Sequence, residues 1–124
     1  MRMNFCGKNV WFGLDTGDYS DGTLKSALLD RTTKTHSPDK VLQTRTETGA
    51  TRSEIYFSEL DFGGEAYTNL LIHKSSDGPD NNVLGLRFLA RHLVTFNFPK
   101  RMMYLKQMSV GPLIDDKKKK HAVP

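Results

Sequence analysis

The sequence VLGLRFLARHLVTFNFPKRMMYLK, residues 83–106, changes its period twice. Leu86, Leu89, Ala90 and Leu93 recur at helical spacing, which predicts one short amphipathic helix over residues 86–92 with Arg87 and Arg91 on its outer side. Val94, Phe96 and Phe98 then alternate with Thr95 and Asn97, and Pro99-Lys100 turns the chain back into Met103-Tyr104-Leu105. Alternation of this kind marks half-buried strands. The order is therefore strand, glycine, helix, hairpin, with Val83 and Leu84 in the strand and Gly85 at its end.

Upstream, the same strand pattern dominates. Residues 41–62, VLQTRTETGATRSEIYFSELDF, place β-branched and aromatic residues among charges on both sides of Thr48-Gly49-Ala50, as two antiparallel strands joined at a tip would. Gly63-Gly64 is a turn, residues 66–73 (AYTNLLIH) form another apolar stretch, and SSDGPDNN interrupts regular structure before Val83. At the N-terminus, residues 3–5 and 10–14 read as strands around Cys6-Gly7-Lys8-Asn9, with Val10, Phe12 and Leu14 on one face. Residues 26–31 (SALLDR) fit a helical turn or a strand, and residues 32–40, with the Ser37-Pro38 break, read as loop. The expected class is all-β with one short C-terminal helix.

Composition narrows the function. The chain has 124 residues, 37% hydrophobic and 26% charged, which suits one folded domain rather than two. Of the net charge of +4, half comes from the tail, where Lys117, Lys118, Lys119 and Lys120 outnumber Asp115 and Asp116. The body is left without the clustered basic face that nucleic-acid binding would want, so no nucleic-acid partner is expected. One cysteine, Cys6, excludes an internal disulfide and a Cys-x-x-Cys zinc pair. His36, His73, His92 and His121 share no ligand spacing, so neither metal nor cofactor is expected. No apolar run approaches a bilayer span, and the N-terminus lacks a signal-peptide core, giving the expectation of a cytoplasmic chain without a membrane partner.

Two separated stretches carry a family resemblance. Phe12-Gly13-Leu14-Asp15-Thr16-Gly17 resembles the hydrophobic-hydrophobic-Asp-Thr-Gly signature of retropepsin-like aspartic peptidases, and Val83-Leu84-Gly85 followed by Leu86-Arg87-Phe88-Leu89 resembles their second signature. Order, spacing, the Gly49 tip between them and the terminal hairpin are together more specific than either motif. The likeness spans about residues 3–107 and implies a retropepsin-like acid protease half-barrel. Residues 1–108 would be the domain, and residues 109–124 a polar, lysine-rich extension or linker.

The resemblance also implies a reaction. Aspartic peptidases pair two carboxylates that share one proton, one activating water while the other donates to the scissile carbonyl. One chain carries one motif, so the family's solution is a two-fold homodimer with a peptide or protein substrate between the subunits. By resemblance Asp15 is the catalytic carboxylate, Thr16 braces the two loops, and Gly17 lets an amide approach the carboxylate. Thr48, Gly49 and Ala50 would form a flap over the substrate, and Val83, Leu84 and Gly85 would support the site from below.

Asp18 departs from the family pattern, which has a small residue there. Facing the cleft as a substrate-binding group, it would add like charges to the dyad and move activity to acid pH or abolish it. Turned to cap a neighbouring amide, with Ser20 or Thr23 supplying hydroxyls, it would leave the dyad normal. The alternative function is accordingly a catalytically degenerate dimerisation or peptide-binding domain. Residues 109–112 could add a strand at the dimer edge, or the chain could be one repeat of a longer protein.

Overall fold

The computed structural model describes residues 1–45, 47–49, 51–75 and 82–112. Four strands and a helix form the first half: β1 (Arg2–Phe5), β2 (Lys8–Asp15), β3 (Gly22–Leu24), α1 (Ser26–Thr35) and β4 (Lys40–Arg45). After them come β5 (Thr51–Phe62), β6 (Glu65–Lys74), β7 (Asn82–Gly85), α2 (Leu86–Leu89), β8 (His92–Asn97) and β9 (Met102–Gln107). Seven strands make one sheet in the order β1-β2-β7-β3-β6-β5-β4, closed by a β1–β5 bridge at Phe5 and Phe62. The β8–β9 hairpin is a second, two-stranded sheet.

Turn chemistry explains the hairpins. Cys6 and Gly7 both take positive φ, 49° and 89°, the backbone a two-residue hairpin needs between β1 and β2. Gly63 and Gly64 do the same between β5 and β6. Along β2 the expected single face is realised at Phe12, which is buried; Val10 is half-buried and Leu14 is exposed.

Phe5, Phe12, Phe62, Tyr67 and Phe88 pack ring on ring inside the closed sheet, with Leu60, Leu70, Ile72 and Leu84 around them. Burying a side chain of this size contributes about 2 kcal/mol, so this cluster is the main stabilising element. His92 closes it: its Nε2 lies 2.7 Å from the Tyr67 hydroxyl and its Nδ1 2.8 Å from the Phe88 carbonyl.

Three expectations are corrected here. The first concerns α1, which continues through Thr35 where a loop is expected from residue 32, so the described residues contain two helices rather than one. Thr32 is buried and its hydroxyl donates to the Leu28 carbonyl at 2.8 Å, which lets a threonine serve the inner face of a helix. Second, α2 stops at Leu89 rather than reaching His92, and Leu93 is an exposed residue of β8. Third, Arg87 and Arg91 do not lie outside: Arg91 is completely buried and both side chains meet Asp21. Past residue 108, Ser109 N donates to Arg91 O and Thr68 N donates to Val110 O.

Candidate active site

Strand β7 inserts between β2 and β3, parallel to the first and antiparallel to the second. Asp15 thereby sits opposite Gly85 in register, and Leu14 opposite Leu84. Beyond Asp15 the chain turns sharply. Asp15 Oδ1 accepts the Gly17 amide at 2.9 Å, and Asp15 O accepts the Asp18 amide at 3.1 Å. The first is an Asx-type bond that fixes the carboxylate against its own turn. The Asp15 side chain remains exposed, as do Thr16 and Gly17.

Residues 18–21 lie across the β7–α2 junction. Gly85 N donates to Asp21 O at 3.0 Å, Leu86 N to Asp18 O at 2.7 Å and Arg87 N to Ser20 O at 3.2 Å. A Cβ at Gly85 would stand 2.1 Å from Ser20 O and 2.8 Å from Asp18 O. Only glycine allows this approach. Gly85 is thus packed directly against the 18–20 segment that follows the Asp15 turn, while Val83 and Leu84 pair with β2 and β3.

The far end of the loop is anchored by charge. Asp21, fully buried, receives Arg87 at 2.6 Å on Oδ2 and Arg91 at 2.9 Å on Oδ1, and Oδ2 also accepts the Leu71 amide at 2.8 Å. Arg91 further donates to the carbonyls of Thr68, Asn69 and Val110. Burial pushes its guanidinium down from the ordinary arginine value, Asp21 opposing this. Sequence reasoning missed this triad. Asp21 and Arg91 are 70 residues apart, and nothing local distinguishes them from solvated charges.

Asp18 is turned into the protein rather than outward over the cleft. Its side chain is only 8% exposed. Oδ1 accepts the Ser20 amide at 2.9 Å and the Ser20 hydroxyl at 2.6 Å, while Oδ2 accepts the Thr23 hydroxyl at 2.7 Å. Burial alone would raise this carboxyl, but the Ser20 and Thr23 bonds, with His73 nearby, outweigh it and hold it below the usual aspartate value. Thr48 and Gly49 occupy the exposed turn between β4 and β5, with Gly49 at φ 86°. Ala50 lies outside the described residues. That turn belongs to β4 and β5 at one end of the strand order, and the Asp15 turn to β2 near the other.

Beside β2 runs an apolar groove of about 660 Å³. Trp11 (63% exposed), Leu14 (42%), Phe96 (54%) and Phe98 (79%) line it with Met102 and Met103. Among the described residues no group of three potential ligands is placed to hold a metal, and no helix is long and apolar enough to cross a membrane.

These features define an all-β, retropepsin-like fold, and comparison with solved structures shows the same. A retropepsin-like aspartic protease from Rickettsia conorii superposes with a TM-score of 0.58 at 22% identity, over 85% of this chain and 79% of that one. The retroviral protease-like domain of Ddi1 from Leishmania major superposes with a TM-score of 0.59 at 11% identity, over 93% of each chain. No family model matches the sequence, and no curated protein matches it.

Proposed function

We propose that the chain is an aspartic endopeptidase that works as a homodimer, with Asp15 of each subunit forming the dyad. The observation that carries this reading is the exposed Asp15 carboxylate, held by the Gly17 amide on a turn seated over Gly85, in a fold shared with aspartic proteases. In the dimer, one carboxylate takes a proton from water as that water attacks the scissile carbonyl. The other donates its proton to the carbonyl oxygen, and the resulting tetrahedral diol collapses with proton transfer to the leaving nitrogen. Thr16 braces the two turns, and the β4–β5 turn with Thr48 and Gly49 closes over an extended peptide. The inward commitment of Asp18 supports competence, because it removes the like charge that would burden the dyad.

The groove beside β2 supports the second subunit. Three exposed aromatic rings at those fractions present roughly 350 Å² of apolar surface, close to half of the ~800 Å² per partner that a stable interface buries. Within residues 109–112, expected as a candidate dimer strand, Ser109 and Val110 are hydrogen-bonded to Arg91 and Thr68 of the same chain, which favours the β8–β9 hairpin and β2 as the dimer face.

Sedimentation should give a dimer, and a mixed peptide library should be cleaved by the wild type but not by Asp15→Asn. A strictly monomeric protein, or cleavage that survives Asp15→Asn, would overturn the shared-dyad reading. A dimer without cleavage would favour the degenerate peptide-binding domain.

A further inference from the structure

The Asp18 carboxylate faces a second buried group that the proposed reaction does not use. His73, on β6, is 9% exposed. Its Nδ1 lies 3.7 Å from Asp18 Oδ1 and has no hydrogen-bond partner. Register places His73 beside Thr23 of β3 and opposite Glu54 of β5. The charged groups around it are Asp18 from the loop and Arg52 and Glu54 from β5; the next residue, Lys74, reaches Asp30 instead. A buried ring nitrogen aimed at a carboxylate and left just beyond bonding distance is uncommon, because such groups normally complete the bond or meet water.

Asp18 itself connects two layers of the site. Its backbone closes the Asp15 turn through Asp18 N to Asp15 O, and its carbonyl receives Leu86 N from the β7–α2 junction. Its carboxylate ties the loop to Ser20 and Thr23. Any movement of that carboxylate toward β6 must draw on its Ser20 and Thr23 bonds, and the Asp18 backbone, bonded to Asp15 O and Leu86 N, carries the strain to the Asp15 turn. We infer that Asp18 is a positioning residue for the Asp15 turn, and that a proton taken up by His73 draws its carboxylate off Ser20 and loosens that turn.

Electrostatics gives the direction. With His73 neutral, the carboxylate favours the tautomer with hydrogen on Nδ1 and leaves Nε2 to accept the proton. Once charged, the ring competes with Ser20 for Asp18 Oδ1: the ionised carboxylate makes both bonds charge-assisted, but only the imidazolium adds the attraction of a full opposite charge. Burial pushes His73 below the ordinary histidine value, with Asp18 opposing that fall. The loosening therefore belongs to mildly acid pH. This inference rests on the peptidase reading for its catalytic consequence, though not for its structural one.

The two are tested separately by NMR titration of the full chain in an Asp15→Asn background, where neither cleavage nor the titration of Asp15 contributes. The Gly17 amide shift should follow the His73 ring titration. Adding Asp18→Asn should shift the His73 midpoint downward and uncouple Gly17, and His73→Gln should flatten the Gly17 response even if Asp18→Asn fails to fold. A His73 midpoint that stays or rises in Asp18→Asn, or a Gly17 response that persists in His73→Gln, overturns the inference. In the Asp15 protein, kcat should fall with pH through the His73 range, and His73→Gln should remove that fall while leaving KM unchanged. Intact coupling in a protein with no cleavage would retain the positioning pair and remove the peptidase reading.

Discussion

Replacing Gly85 by alanine tests how tightly the Asp15 turn is seated. The added Cβ would meet Ser20 O at 2.1 Å and Asp18 O at 2.8 Å, both backbone atoms that no rotamer change can move. Restoring ordinary contact requires the loop to retreat by about 1 Å. That retreat strains the bonds from Gly85 N to Asp21 O and from Leu86 N to Asp18 O. Overpacking costs about 1–3 kcal/mol and two weakened hydrogen bonds cost about 1 kcal/mol each, for an expected loss of about 3–5 kcal/mol. Against a domain stability of about 5–15 kcal/mol, this is a large fraction. With a urea m-value of about 2 kcal/mol/M, the unfolding midpoint should drop by roughly 1.5–2.5 M. Gly13→Ala is the control, because its Cβ would meet only Val83 Cγ1 at 3.5 Å and Asn82 O at 4.0 Å; its cost should stay within about 0.5 kcal/mol. Under conditions where Gly85→Ala remains folded, displacing the carboxylate by ~1 Å should lower peptidase activity on the order of 100-fold. Equal urea midpoints for the two variants would refute the close approach.

Arg91→Met should destabilise the fold by about 3–5 kcal/mol, because it leaves Asp21 facing Arg87 alone and strips donors from three carbonyls; a loss under 1 kcal/mol in urea unfolding would contradict the buried triad. Stability should also fall with pH below about 6.5. Burial lowers both His73 and His92, so the unfolded chain binds their protons more readily, and the stability present above the unfolded value is lost as pH drops toward the folded ones. Asp18, held below 3.8, adds a further loss as pH falls from that value through its folded one. Thermal melts from pH 7.5 to 3 check the order of these losses, and a melting temperature that rises between pH 7 and 5 would refute the histidine contribution.

The strands that alternate against a turn were readable in advance: β1 and β2 around Cys6-Gly7, β5 and β6 around Gly63-Gly64, and β8 and β9 around Pro99-Lys100. Their turn residues and their period agree locally, which is when sequence pattern is informative. Three-residue β3 carries too few positions for any period. The end of α1 was hidden because Thr32, Thr33 and Thr35 favour loops and strands by propensity, and tertiary burial of Thr32 overrides it. Arg91 was misread because a charged residue at a helical outer position is normally solvated, and only its distant partner Asp21 changes that. The motif residues 15–17 and 83–85 could be picked out by resemblance, whereas the orientation of Asp18 depended on Ser20 and Thr23 being close enough to capture it.

The insertion of β7 between β2 and β3 also bears on how the chain folds. The hairpins β1–β2, β5–β6 and β8–β9 close short loops, whereas Gly13 and Val83, or Asp15 and Gly85, pair across 70 residues. Loop-closure entropy makes such pairings late and slow relative to local ones. The β2–β7 pairing at Asp15 is therefore expected to be among the last parts to assemble, with φ-values near zero at Val83 and Leu84 and higher ones in the β5–β6 hairpin. A nascent or partly folded chain would then carry its strands and hairpins before it carries a positioned carboxylate, so any proteolytic competence would arise only on completion of folding.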